Sequence, residues 1–504
     1  MVALAALVPL LVLGTLVVLR RWPLARAAWF STALTIGIGL GVAGLGIDGV
    51  MVAVAKGLWT GTWILLIVVP ALLLYQLADR AGAVGHLSDQ LSGLAGSSGR
   101  QLLLFAWVLP SFVQGVAGFG VPVVLAAPML VRAGLAPVAA VAAVLVGYHW
   151  SVTFGSMGSS FLVAVGTAGV DAATASRFAL YASSLLAISA ALAALLLMRR
   201  TPVAQRRGMV GPLIAASVAM GFTLVAVVSI EPALGSTAAG LTGLLTLVAI
   251  YRRSGQPIDR KVLGLAAAPY AGLTVLVLIG MTAPPVRAVA AAVPPLAPSF
   301  PATTSDLHAT AAVDAHQPLA PLSHPFLYLL LACLVTWLLY RRVGWLAATD
   351  GGAALRAWWP RAWSTVRSLS GLTVLSAVMV EAGLMAALSE AIVATLGVAY
   401  LAVAPVVGSL GTALTGSTTA SNALLAPLQA SAGAGLGVDP AILLTAQTIG
   451  GNIGNVFTPI NVAVAAAAVG AVGDEAEIIR SAGRDAAFLL VLAALLTLLF
   501  GMRL

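Results

Sequence analysis

The chain has 504 residues, of which 61% are hydrophobic and 8% charged, with a mean hydropathy of +1.06. That composition excludes a water-soluble globule and defines a polytopic helical membrane protein. The net charge of +9 is no nucleic-acid signal, because the arginines fall in short loops between apolar runs, where retention of positive charge on the cytoplasmic side accounts for them. Cys333 is the sole cysteine and lies in an apolar run, so neither an intrachain disulfide nor a thiolate metal site is expected.

In chain order, the first apolar run is followed rather than preceded by Arg20 and Arg21, which predicts a first span entering from outside and not a cleaved signal peptide. Spans are predicted over 29–45 and 57–77, then a polar inside stretch over 79–100 in which 86–94 forms an amphipathic surface helix. Residues 101–135 carry Pro110, the run QGVAGFGVP and Arg132. Arg199, Arg200, Arg206 and Arg207 put the end of the later span 175–198 inside, so 136–169 runs outward and 101–135 enters and leaves on the inside as a re-entrant hairpin tipped by its glycines. Middle spans follow over 212–230, 234–250, 262–281 and 325–340. The Pro-, Ala- and Thr-rich stretch 282–323 between the last two is read as a variable external linker. Residues 369–388 run outward, 391–435 form a second hairpin opened from outside and tipped by TGSTTASN, 440–472 cross inward through GGNIGNVFTPIN, and 486–500 cross outward.

The expected fold is all-α: about 12 transmembrane helices plus two re-entrant hairpins, arranged as inverted repeats. Its divisions are N-terminal spans over 1–56, a first repeat over 57–200, middle spans over 201–367 and a second repeat over 368–504.

Irregular polar backbone survives in hydrocarbon only where it faces protein, water or a ligand. Four such breaks are expected to converge: the two hairpin tips and the interruptions TFGSMGSS at 153–160 and GGNIGNVFTP at 450–459. Helix N-termini offer unpaired N–H groups and a partial positive charge, so a small anion needs no lysine there, and hydroxyls and amides add adjustable donors. The candidate substrate residues are Gln114, Gly118, Phe119 and Gly120; Thr153, Gly155 and Ser156; Ser417, Thr418, Thr419, Ser421 and Asn422; and Asn452, Asn455, Thr458 and Asn461. Close helix packing through small residues is the competing reading for any one break; four at matched places favour a site. Two ionisable groups at depth are proton-coupling candidates: His149, whose unperturbed pKa is about 6.5, and Glu381, placed well inside 369–388. A hydrogen-bonded packing histidine and a solvated scaffold carboxylate are the respective alternatives. Arg177 is read as a loop anchor, and no metal-ligand spacing or nucleotide loop presents itself.

The segments QGVAGFGVPVVLAAPMLVRAGLAPVAA from Gln114, TFGSMG from Thr153, and LGTALTGSTTASNALLAPLQ from Leu410 through GGNIGNVFTPINVAVAAAAVG resemble the bacterial lactate permease family over essentially the whole chain. The arrangement also resembles the wider ion transporter superfamily. The resemblance implies a secondary transporter of L-lactate and glycolate by proton symport in the bacterial cytoplasmic membrane, a homodimer with scaffold and transport subdomains; no cofactor is expected, and an enzyme is the remotest reading, because no nucleophile and base pair or metal triad presents itself at depth. It departs from the family pattern at Gln114 and Thr418, where acidic residues are usual, and at Asn455, where a lysine is usual. A sodium-coupled or uncoupled carrier of another small organic anion, and an anion channel, are the alternatives.

Overall fold

The computed structural model describes residues 2–116, 118, 120–252, 259–347 and 350–503, and they are nearly all helical. Helices α1 (Val2–Val18), α2 (Leu24–Gly41) and α3 (Ile47–Arg80) lead to α4 (Ala83–Ala95). The α4 stripe Leu87, Leu91 and Leu94 is buried, packed against α13 (Arg260–Thr282) and α3. Residues 86–94 are thus amphipathic as expected, but protein rather than lipid covers the apolar face.

The first hairpin is built from α5 (Ser98–Leu102), a π-helical turn over Leu103–Val108, α6 (Leu109–Val116) and the returning α7 (Val121–Arg132). Pro110 explains the wide turn: it has no N–H to give the carbonyl of Ala106, four residues back. Gly147 of α8 (Pro137–Tyr148) packs directly on that carbonyl, where any side chain would collide. Gly120, at φ +83°, turns the chain, and Pro122 sits in the first turn of α7. The second hairpin is α18 (Tyr400–Thr415) against α19 (Thr418–Leu436). There Gly416, at φ +81°, closes α18 by donating its N–H to the carbonyl of Thr412 at 2.8 Å.

Each hairpin is followed by a broken helix and a long one. After the first come α8, α9 (Gly155–Ala168) and α10 (Ala172–Arg199), with α8 and α9 bent by 57°. After the second come α20 (Pro440–Gly454), α21 (Pro459–Ala468) and α22 (Glu475–Arg503). The two sets interlock: α9 packs on α19, α10 on α20, α22 on α8 and α21 on α7. Helices α11 (Val203–Val228) and α12 (Gly235–Tyr251) cover the first hairpin; α15 (Pro325–Val343) and α16 (Asp350–Glu381) pack along α3, and α17 (Leu384–Leu396) along α19.

Among the described residues, nine helices are long and apolar enough to cross a membrane, or ten with the bent α8–α9 pair. The expectation of about twelve, with the two hairpins apart, also counted α1, which has 17 residues, and the broken span 440–472, which is divided into α20 and α21 of 15 and 10 residues.

Two sequence expectations need correction. Residues 282–323 are ordered: α14 (Pro284–Ala291) precedes a ribbon of β1 (Thr303–Thr304) and β2 (Ala309–Thr310), extended by pairings of Leu296 with Leu319 and Phe300 with Val313. Such short pairings leave no alternation to detect. Glu381 is also not interior to a continuous span 369–388. It is the last residue of α16, and Gly383 at φ +73° breaks the helix before α17.

Candidate functional site

The hairpin tips and the α8–α9 and α20–α21 breaks surround a cavity of about 30 Å³, room for roughly two waters. Its lining is hydroxyl, amide, glycine and apolar, with no formal charge: Gln114 and Gly120 come from the first tip, Ser156 from α9, Ser417, Thr418 and Thr419 from the second tip, and Asn455 and Asn461 from the α20–α21 break. Tyr148, Val152, Ser160 and Gly416 line it too, and none of these was singled out from sequence.

Local chemistry explains each wall. Ser417 is extended at φ −158°, and α19 begins beside it with no side-chain cap, so the first-turn N–H groups lack intrahelical acceptors and lie beside the cavity. In α9 the residues Ser156, Met157 and Gly158 have φ of +47°, +55° and +71°, a left-handed turn costing about 1–2 kcal/mol for each non-glycine residue. Gly158 fits because a Cβ there would sit 2.9 Å from the Cα of Ala233. Gly118 and Gly155 are not in the lining but pack on Gln114, which is: a Cβ on either would stand 2.9 Å from the Gln114 amide nitrogen. Phe119 lies outside the described residues.

The remaining candidates stand behind the cavity in a buried hydrogen-bond ladder. Asn422 donates to the Ser160 carbonyl at 3.0 Å and to the Thr448 hydroxyl at 3.1 Å. Thr448 meets the Thr153 hydroxyl at 2.9 Å, and Thr153 accepts from Asn452 at 2.8 Å. Gln447 donates to the Ser421 hydroxyl at 3.0 Å and accepts from Gln429 at the same distance. Thr458 bonds back to the Gly454 carbonyl at 3.3 Å. Within the cavity wall Ser160 meets Thr419 at 2.8 Å and Asn455 donates to Thr418 at 2.9 Å, and Asn455 joins wall to ladder by donating to the Asn452 carbonyl at 3.3 Å. Gln429, Gln447 and Thr448 were missed in the sequence, although an amide within an apolar run is the same kind of signal that drew notice to Glu381.

His149 is buried away from the cavity. Its Nδ1 faces the Val146 carbonyl at 2.7 Å and its Nε2 the Ser189 hydroxyl at 2.7 Å, a pairing that a neutral imidazole satisfies. Glu381 is buried and paired with Lys56 at 2.7 Å. Lys56 was missed because the span was started at Gly57, whereas α3 starts at Ile47 and encloses it. Arg177 holds Asp439, the N-cap of α20, at 2.5 Å and so ties α10 to the mouth of the second hairpin. A larger recess of about 290 Å³ between α10, α20 and α22 is lined chiefly by groups such as Leu180, Ile442 and Phe500, and has little with which to orient a polar ligand.

Broken helices meeting at an internal polar cavity, within a bundle of membrane-length helices, define a polytopic membrane transport protein. The family model for L-lactate permease matches residues 2–502, and the chain belongs to that family. It is 27% identical over 496 residues to an L-lactate permease of Escherichia coli strain K12, covering 90% of this chain and 87% of that protein. It is 26% identical over 548 residues to the glycolate permease GlcA of the same strain, covering 99% and 95%. An L-lactate permease of Bacillus subtilis is 23% identical, covering 99% and 95%. Among solved structures, the Alcanivorax borkumensis YdaH transporter aligns at TM-score 0.45 and 17% identity, covering 88% of this chain and 86% of that one. Neisseria gonorrhoeae MtrF aligns at TM-score 0.48 and 13% identity, covering 98% and 95%. This is a multi-pass protein of the cytoplasmic membrane.

Proposed function

We propose that the protein is a secondary active transporter of a small monocarboxylate, L-lactate or glycolate first, moved with a proton, and that the cavity between the hairpin tips is its substrate site. The observation that carries the reading is the uncapped start of α19 beside a charge-free, hydroxyl- and amide-lined cavity. A carboxylate there takes its hydrogen bonds from the first-turn N–H groups of α19, from Ser417 and Thr418, and from the amides of Gln114, Asn455 and Asn461. Tyr148 and Val152 face the carbon skeleton. Names of relatives that include a lactate and a glycolate permease support the same substrate class.

In this reading the recurring order of hairpin, broken helix and long helix is an inverted repeat, with the two tips reached from opposite faces, and the scaffold includes α3 and α16. Uptake of labelled L-lactate into proteoliposomes under an imposed inward pH gradient is the test. Accumulation above the equilibrium level is expected; no uptake of any small carboxylate overturns the reading.

The neutral lining favours one second reading, a sodium-coupled or uncoupled carrier on the same fold. Accumulation that survives without a pH gradient and disappears when choline replaces sodium would establish the sodium-coupled form.

A further inference from the structure

A second and larger cavity, of about 400 Å³, lies where α3, α16 and the C-terminal end of α9 meet the ribbon of residues 296–319. Lys56 and Glu381 form its polar floor, and the pair is not isolated: Thr303 of the ribbon donates to the second Glu381 oxygen, and His316 meets the hydroxyl of Thr60 at 3.1 Å. His308 and His316 are the other titratable groups lining the space. Ser376 and Thr310 line it as well, with their hydroxyls turned away from the space, buried and without a hydrogen-bond partner. An unpartnered buried hydroxyl is destabilising, because nothing replaces the hydrogen bonds it made to water. A buried ion pair also gains little over an apolar pair of similar size, because desolvation offsets its attraction. As a strut, therefore, this arrangement is a poor choice.

Position adds to chemistry. Helix α9 borders both cavities, the inner one at Ser156 and Ser160 and the larger one at Gly166–Gly169, and six residues of helix separate them by about 9 Å. Basic character here is also distinctive: Lys56 and Lys261 are the only two lysines among 25 basic residues. A lysine ammonium is a compact charge on a flexible stem that can exchange partners.

We propose that this cavity is an entrance site for a small carboxylate, in which Lys56 holds the anion after Glu381 has taken up a proton. The step balances: the Glu381 carboxylate gains one proton from the medium and releases Lys56, the incoming carboxylate replaces it on the ammonium, and the site stays at zero net charge with one proton and one anion added. Rotation of the Ser376 and Thr310 side chains brings their unpartnered hydroxyls to the newcomer. The inference rests on the monocarboxylate-carrier reading and adds to it a second site and the origin of one-to-one coupling.

The test uses full-length protein in proteoliposomes. Glu381→Gln imitates the protonated carboxyl, so lactate–lactate exchange at equal pH is expected to persist while pH-driven accumulation disappears. Lys56→Gln is expected to raise the KM for lactate by about tenfold or more. Parental KM and parental pH-driven accumulation in both variants would reduce the pair to a strut and overturn the proposal, with the carrier reading intact. Parent protein that moves no carboxylate would instead remove the carrier reading. A readout independent of transport, and of whether the variants fold, is acylation of Lys56 in the unaltered protein, with exposed Lys261 as internal reference. Acetate and lactate are expected to slow labelling of Lys56 alone; no slowing by either overturns the site.

Discussion

Ser417 and Asn422 belong to one sequence cluster, yet the fold gives them different work. Ser417 borders the inner cavity, whereas Asn422 is fully enclosed between Ser160 and Thr448. Ser417→Ala is therefore expected to raise the KM for lactate several-fold at unchanged thermal stability. Asn422→Ala leaves a buried carbonyl and hydroxyl without their donor and is expected to cost about 1–3 kcal/mol. The loss reads as a lower Tm of the detergent-solubilised protein before any transport assay. Equal Tm for both variants would contradict this division of roles. That polar residues mattered here was legible, since few reasons keep hydroxyls and amides in an apolar run. Which of them face the cavity was not, because Thr418 and Ser421 are neighbours three residues apart on α19, and only the tertiary setting puts the first on the cavity and the second against Gln447. The Gly120 turn offers a purely conformational probe: a Cβ there meets nothing nearer than Asn461 at 3.6 Å, so Gly120→Ala is expected to cost about 1 kcal/mol through φ alone.

Glycine contacts decide how closely elements approach. A Cβ on Gly240 of α12 would fall 2.5 Å from the Cα of Phe112, and one on Gly115 of α6 would fall 2.5 Å from the Cα of Thr237, so these helices touch backbone to backbone. Gly240→Ala is expected to destabilise by about 1–3 kcal/mol by forcing α12 off the first hairpin. A surface control such as Gly211→Ala, inside α11 and meeting no atom within 4 Å, should not lower Tm and should raise it slightly through helix propensity. If both substitutions lower Tm equally, close approach is not the cause. At this scale the sequence was most legible where glycine, proline and polar residues coincide, and both hairpin breaks fall where QGVAGFGVP and TGSTTASN place them. It was least legible where order comes from contacts distant in the chain. The ribbon over 296–319 is held by Trp59 donating to the Gln317 carbonyl at 3.1 Å and by Asp306 donating its N–H to the Ala43 carbonyl at 2.8 Å. No local pattern announces such bonds. Glu381 was misjudged for a related reason: the break at Gly383 sits in an apolar run where hydropathy does not change.

Across the whole molecule, the ribbon binds the scaffold helices through groups that titrate. Burial pushes His324 down to about 4, and His316 is lowered first by burial and then by the positive charge of Lys56, against the opposing pull of Glu381. Both are neutral in the folded protein near pH 7, while an unfolded chain protonates them around pH 6.5. The unfolded state therefore binds more protons as pH falls, so stability is full above about pH 6.5 and declines below it. For His324 the decline ends near pH 4, where the folded state is protonated too. Tm measured from pH 8 to pH 4.5 is expected to fall on the acid side, and His316→Gln with His324→Asn should flatten that fall between about pH 6.5 and 5, before carboxylates titrate. His324 accepts from the Phe326 N–H at the start of α15, and asparagine retains that cap. A double variant with an unchanged acid limb would show that His316 of the ribbon and His324 at the α15 cap do not couple stability to pH, and would leave Glu381 and its neighbours to account for any pH dependence of transport.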